Sequence, residues 1–177
     1  MLYAQNLVRH LTALKHEVLL TFTPNAETVL KHELGVDPAR FIKSLKAGKL
    51  VTRVDINDLM HPACSGSFKH AGMIIVPASI NTLSRIASGL AGNIVERAAQ
   101  VCLKEKYPLV IVLRETPLSS VILENMVRLS HAGAVILPAA PGFYSKPATI
   151  NDLADFISAK IMNILRLPHR VKLYEVQ

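Results

Sequence analysis

Tryptophan is absent and aromatic residues make up only 5% of the chain, so the stacking platforms on which single-stranded nucleic acids are bound are scarce. Cysteine is nearly absent too: Cys64 and Cys102 are too few for a disulfide framework, and neither belongs to a C-x-x-C pair. Both read as free thiols of a reducing compartment. No apolar run approaches the roughly 18 residues that cross a bilayer, and the N-terminus lacks the charged-then-apolar layout of a secretion signal. The sequence therefore predicts a cytoplasmic protein with no membrane span. His10, His16, His32, His61, His70, His131 and His169 stand singly, without metal-ligand spacing, so no metal site is expected. No G-x-S-x-G turn occurs, which argues against hydrolysis through an activated serine. Internal repeats and low-complexity segments are also missing.

Half of the 177 residues are apolar and 19% are charged, enough for one domain, residues 1–177, with a large buried core. Twenty lysines and arginines against thirteen acidic residues give a formal charge of +7. The cations are scattered and do not form a run interleaved with aromatics, a pattern that suits an anionic small ligand better than nucleic acid.

Short, continuously apolar runs alternate with stretches of helical spacing. Met73–Val76, Leu109–Leu113 and Ala134–Leu137 are the clearest runs, and Glu17–Phe22 is a fourth. Strands that are apolar on both faces belong to a mostly parallel sheet covered by helices. Helices are expected over residues 5–14, 40–46, 82–88, 93–106, 121–131 and 151–167. The fold class is thus α/β: a Rossmann-like or flavodoxin-like three-layer sandwich. Its first strand is apparently missing, because the chain opens directly into a helix.

Ligands of open α/β sheets bind beyond the carboxyl ends of the strands. After Met73–Val76 come Ser79, Ile80, Asn81 and Thr82 at the start of a helix, where Ser79 and Thr82 either cap the helix or touch a ligand. Arg114 follows an otherwise apolar run; its guanidinium suits a phosphate or a flavin carbonyl, or else an ion pair with Glu115. Tyr144 stands in the stiff loop after residue 137, as a pocket wall or a turn-packing ring. Lys160 lies beside the apolar stripe of the last helix, where it either snorkels to the surface or meets an anion.

The segments Ser65-Gly66-Ser67-Phe68, Pro77-Ala78-Ser79-Ile80-Asn81-Thr82-Leu83, Arg97-Ala98-Ala99 with Leu103-Lys104-Glu105, Arg114-Glu115-Thr116-Pro117-Leu118 and Pro141-Gly142-Phe143-Tyr144, in this order and spacing, closely resemble the flavin prenyltransferases of the UbiX/Pad type. The resemblance runs from about Tyr3 to Leu167. It implies an enzyme that joins a dimethylallyl group from dimethylallyl phosphate to reduced flavin mononucleotide (FMN), with the prenylated FMN passed to a UbiD-type decarboxylase. It also implies a homo-oligomer, commonly a dodecamer. Carried over by position, Thr23, Ser79, Ile80, Asn81, Thr82 and Arg114 would contact FMN, Tyr144 and Lys160 would bind the dimethylallyl phosphate, and Glu33 would do acid/base work.

The family opens with a strand and a Gly-x-Ser-Gly turn that would precede Met1, which sets an expectation of weakened flavin binding and impaired activity for a chain without them. Gly92 stands where the family often has Asp. Two other readings follow from the same motifs: a relative of the flavin-dependent cysteine decarboxylases, which share Pro-Ala-Ser-x-Asn-Thr, and a non-catalytic FMN-binding subunit. Against the first, the chain has no Met-Asn-x-x-Met-Trp motif.

Overall fold

A computed structural model describes residues 1–169 and Val171. The chain divides into two compact units, Ile56–Ala139 and a second made of Met1–Asp55 with the segment from Ala140 onward.

In the Ile56–Ala139 unit, three strands, β3 (Met73–Ala78), β4 (Leu109–Leu113) and β5 (Val135–Pro138), form a parallel sheet in that order. Met73 pairs with Leu109, and Val110 with Val135. The register shifts between Ile75 and Ala78, where Pro77 has no N–H to give to the ladder. All five residues of β4 are buried. Leu109, Ile111 and Leu113 enter one apolar cluster with Leu83 and Ile86 of α4 (Ile80–Ala87), Ala99 and Cys102 of α5 (Ile94–Glu105), and Ile122 and Leu129 of α6 (Ser120–Ala132). Val110 and Val112 alternate to the other face and are buried as well. Burial on both faces is why this run is apolar without interruption. At roughly 1.5–3 kcal/mol per buried aliphatic side chain, β4 is the strand that holds the unit together. Asn93 caps α5 by accepting from the Glu96 N–H at 3.0 Å, and α6 stops at Gly133, whose φ of 107° is one that glycine adopts freely.

The other unit contains α1 (Leu2–Ala13), β1 (Val18–Leu20), α2 (Pro24–Leu34), α3 (Pro38–Ser44), β2 (Val51–Arg53) and α7 (Ile150–Ile164). β1 and β2 pair in parallel, Val18 opposite Val51, with α2 and α3 supplying the crossover that parallel strands need. The Phe22 ring meets Phe41 edge-on at 5.8 Å. α1 packs on α7, and the contact carries a polar lock: Asp155 Oδ1 accepts from Asn6 Nδ2 at 3.0 Å and lies 2.8 Å from His10 Nε2.

The α/β class and the parallel pairing agree with the expectation from sequence. Element ends move by a few residues: the strand expected over Glu17–Phe22 is Val18–Leu20, and the last helix ends at Ile164, short of Leu167. α2 and β2 had no sequence-based counterpart. α2 buries only Leu30, so it shows no apolar stripe. Its signals are at its ends, where Thr23 and Pro24 start it and Gly35, at φ 68°, stops it.

Candidate functional site

Consider first the carboxyl ends of β3 and β4. The Arg114 N–H donates to the Ala78 carbonyl at 3.3 Å, so Ser79 and Arg114 leave adjacent strand ends. Ser79 is the N-cap of α4: its Oγ accepts from the Thr82 N–H at 3.2 Å and lies 3.2 Å from Thr82 Oγ1. The cap is therefore real. It still leaves Asn81 exposed, and the first-turn N–H groups of α4 have no acceptor within their own helix. With the partial positive charge of a helix N-terminus and the exposed Arg114 close by, the donor set of Ser79, Ile80, Asn81, Thr82 and Arg114 suits a phosphate or the carbonyls of a flavin.

The same unit contains a cleft of about 560 Å³ lined by Cys64, Ser65, Gly66, Ser67, Arg97, Lys104 and Glu105. Two separated segments meet there because the short 3-10 turn Pro62–Cys64 packs on α5, and Arg97 and Lys104, two helical turns apart, share one face of α5. Gly66 lies against the Glu105 side chain, whose carboxyl end would have to shift to admit a Cβ at this position. The Tyr107 hydroxyl donates to the Gly66 carbonyl at 3.3 Å and holds the turn in place.

Two cations, Arg97 and Lys104, line the cleft with one carboxylate, Glu105, and the Asp58 carboxylate is within electrostatic reach of Cys64. Lys104 Nζ binds Glu105 Oε1 at 2.6 Å. The Lys104 hydrogen bond and charge, with a smaller contribution from Lys69, hold the Glu105 carboxyl below its ordinary range. Arg97 has no ion pair among the described residues, and Lys104 is paired with Glu105, so Arg97 is the cation of the cleft lining left for an anion. The thiols are not poised as nucleophiles. Burial pushes Cys64 up against the opposing pull of Arg97, and pushes Cys102 up to about 11. In the sequence these residues were legible only as members of a pattern. The signal that could have found the cleft is the seven-residue spacing of Arg97 and Lys104 on one helix.

In the other unit, Tyr144 sits in a 3-10 turn, Phe143–Ser145, and its ring lies so close to Gly142 that a Cβ there would clash with it. The ring is 56% exposed and meets the buried Phe156 edge-on at 5.7 Å. Lys160 Nζ lies 5.4 Å from the centre of the same Phe156 ring. Tyr144 and Lys160 are thus brought together on one aromatic floor that sequence reasoning missed, with the ammonium held by a ring face and still exposed. Thr23 and Glu33 are not brought together. Thr23 caps α2, accepting from the Ala26 N–H at 3.1 Å, while Glu33 is in its last turn, about 15 Å along the axis. The Glu33 carboxylate binds the N-terminal ammonium of Met1.

Among the described residues no group of His, Cys, Asp and Glu could hold a metal ion, and no helix is long and apolar enough to cross a membrane.

Comparison with known proteins places this geometry in context. A family model described as Flavoprotein matches residues 1–162. A flavin prenyltransferase UbiX of Alkalihalophilus pseudofirmus is 44% identical over 174 residues, covering 95% of this chain and 86% of the relative. One from Methanothermobacter thermautotrophicus is 42% identical over 164 residues, covering 93% and 83%. Among solved structures, AnUbiX (PadA1) in complex with FMN and dimethylallyl pyrophosphate is 36% identical, with a TM-score of 0.88 over 98% of this chain and 92% of that one. A dodecameric FMN-dependent UbiX-like decarboxylase from Escherichia coli O157:H7 is 34% identical, with a TM-score of 0.88 over 99% and 92%. The peptidyl-cysteine decarboxylase EpiD shares the fold at 18% identity and a TM-score of 0.57.

Proposed function

This chain belongs to the flavoprotein family and, within it, to the flavin prenyltransferases, and from that premise we propose that it transfers a dimethylallyl group from dimethylallyl phosphate to reduced FMN. The observation that carries the reading is the cleft in which Ser65, Ser67, Arg97 and Lys104 converge, two cations to one lining carboxylate, because a phosphate leaving group needs such a receiver.

The division of labour follows from the chemistry of the side chains. Ser79, Ile80, Asn81, Thr82 and Arg114 hold and orient the cofactor through the α4 cap and the guanidinium, and Thr23 adds a hydroxyl from the start of α2. When bound, reduced FMN supplies the nucleophilic ring atoms that accept the dimethylallyl carbons. Breaking the allylic C–O bond leaves a phosphate with growing negative charge. Arg97 and Lys104 stabilise that charge through charge-assisted hydrogen bonds, which are roughly twice as strong as neutral ones. Tyr144 and Lys160, in the other unit, are the residues that the family resemblance assigns to dimethylallyl phosphate, the phenol and ammonium suited to its oxygens and the aromatic floor to its hydrocarbon. The proton lost on ring closure passes to Glu33 or to the released phosphate. Residues 1–177 act as one flavoprotein domain.

Two further features belong to this reading. Assembly into a homo-oligomer, a dodecamer as for the E. coli relative, is supported by the 34% identity and full-length likeness to that structure. The product is used by a UbiD-type decarboxylase, as the resemblance to the flavin prenyltransferases implies.

The test mixes the purified protein, reduced FMN and dimethylallyl phosphate without oxygen, then follows phosphate release and flavin mass. A flavin heavier by one five-carbon unit, with matching phosphate, is expected. Flavin recovered unmodified would overturn the proposal and leave a binding subunit.

A further inference from the structure

Glu96 is the most buried carboxylate of the described residues, 2% exposed, and nothing in the reaction uses it. Its two oxygens accept four hydrogen bonds: from Arg85 Nε at 2.5 Å and Nη2 at 3.1 Å, from the Gly92 N–H at 2.7 Å and from Asn93 Nδ2 at 2.8 Å. A carboxylate so fully engaged has no capacity left for a substrate, which excludes direct chemistry. It also exceeds what simple helix packing requires, since an apolar side chain of this volume would join the same surfaces at less desolvation cost.

What the network does have is direction. Arg85 is in α4, and Glu96 is in the first turn of α5. The two-pronged guanidinium–carboxylate pair fixes angle as well as distance between the helices, which apolar contact does not. A second tie lies one turn further on, where Gln100 Nε2 of α5 donates to the Ile86 carbonyl of α4 at 2.9 Å. The Gly92 loop wraps closely enough that a Cβ there would lie 3.1 Å from Arg85 Nη2. The two helices so joined are the ones that matter. α4 begins at Ser79 with the cofactor-binding turn, and α5 presents Arg97, the neighbour of Glu96, and Lys104 to the phosphate cleft.

We infer that Glu96 is a positioning residue: through Arg85 it sets the phosphate-receiving cations of α5 in register with the flavin-holding turn of α4. The inference rests on the proposed transferase reading. An error of about 1 Å in the placement of reacting partners lowers rates by orders of magnitude, so a rigid coupling of the two helices has a direct catalytic consequence.

Two variants test it in the FMN-loaded protein, Glu96→Gln from the buried side and Arg85→Lys from the exposed side. For each, KM for dimethylallyl phosphate, kcat, inhibition by inorganic phosphate and FMN affinity are measured at a temperature where circular dichroism shows the variant folded. In Glu96→Gln, KM and the phosphate inhibition constant should rise together by about tenfold, and in Arg85→Lys by about threefold, with FMN affinity within about twofold of the parent. A purely structural role would lower the melting temperature and leave both constants of the folded protein unchanged, and that result overturns the inference. If Glu96→Gln does not fold, Arg85→Lys decides alone. Absence of turnover in the parent protein would sink the transferase reading instead, while the affinity for inorganic phosphate, measured by calorimetry, still judges Glu96.

Discussion

The two units of the chain hold their functional side chains by opposite means. In Ile56–Ala139 the central strand is buried on both faces, the helices over it share one apolar cluster, and the cations lining the cleft stand on a helix tied by a buried carboxylate, Glu96, to the half-exposed Arg85 guanidinium. In the other unit the strands are three residues long, Leu19 is 45% exposed, and the polar lock between α1 and α7 joins half-exposed partners. Tyr144 and Lys160 there rest on Phe156 and face outward. The contrast separates a frame that fixes geometry from a surface that exposes a phenol and an ammonium, the groups proposed to meet an anion. It also makes different demands of mutation in each.

The largest difference should appear in stability. Ile111 is fully buried in β4, and Ile111→Ala should cost about 4 kcal/mol by the combined loss of transfer energy and opening of a cavity. Leu20 at the end of β1 is only half-buried, and Leu20→Ala should cost about 1 kcal/mol. Urea unfolding measures both, and equal losses would break the comparison between frame and surface.

Activity comes next. Arg97→Met and Lys160→Met remove one cation from each unit, and each should lower kcat/KM for dimethylallyl phosphate by about 100-fold, with FMN affinity retained. A loss in Arg97→Met alone would assign the leaving group to the cleft and return Lys160 to a snorkelling role on Phe156.

The same contrast governs how much could be read from sequence. The buried frame was legible because burial on both faces imposes continuous apolar runs, and Leu109–Leu113 matches its expected bounds. Ser79 and Arg114 were legible by position, just after two such runs. The surface unit was harder. β2 is three residues, too short for any period, and α2 buries a single leucine, so only its end signals mark it. The cleft was not legible as a site because its residues come from two segments, residues 64–67 and α5, that only folding joins, and Phe156 looked like one more core residue of the last helix. Thr23 and Glu33 stand at opposite ends of α2, one as its N-cap and the other in its last turn.

Acid should distinguish the units again, with a smaller effect. The Arg85 hydrogen bond, against the opposing effect of burial and with help from the Gly92 N–H, holds the Glu96 carboxyl below its ordinary range. A carboxyl whose folded-state pKa lies below its unfolded value stabilises the fold fully above the unfolded value, about 4.3, and the contribution disappears as pH falls through the folded value. Stability measured by denaturant should therefore drop as pH falls below about 4, and Glu96→Gln should flatten that slope. An unchanged slope would show that the buried carboxylate of this pair is not what acid attacks first.

The smallest effect sharpens the comparison from the other side. Thr149 Oγ1 accepts from the Asp152 N–H at 3.2 Å, while Asp152 Oδ2 accepts from the Thr149 and Ala148 N–H groups at 2.8 and 2.9 Å, a reciprocal cap that starts α7. Thr149→Ala should cost about 1 kcal/mol of stability. Lys160 lies almost three turns further along α7, beyond the first turn where the lost cap is felt. KM for dimethylallyl phosphate should therefore stay at the parent value while the melting temperature falls. A rise in KM with this variant would mean that the presenting surface depends on its frame as strictly as the cleft cations are inferred to depend on Glu96, and the distinction between the two units would fail.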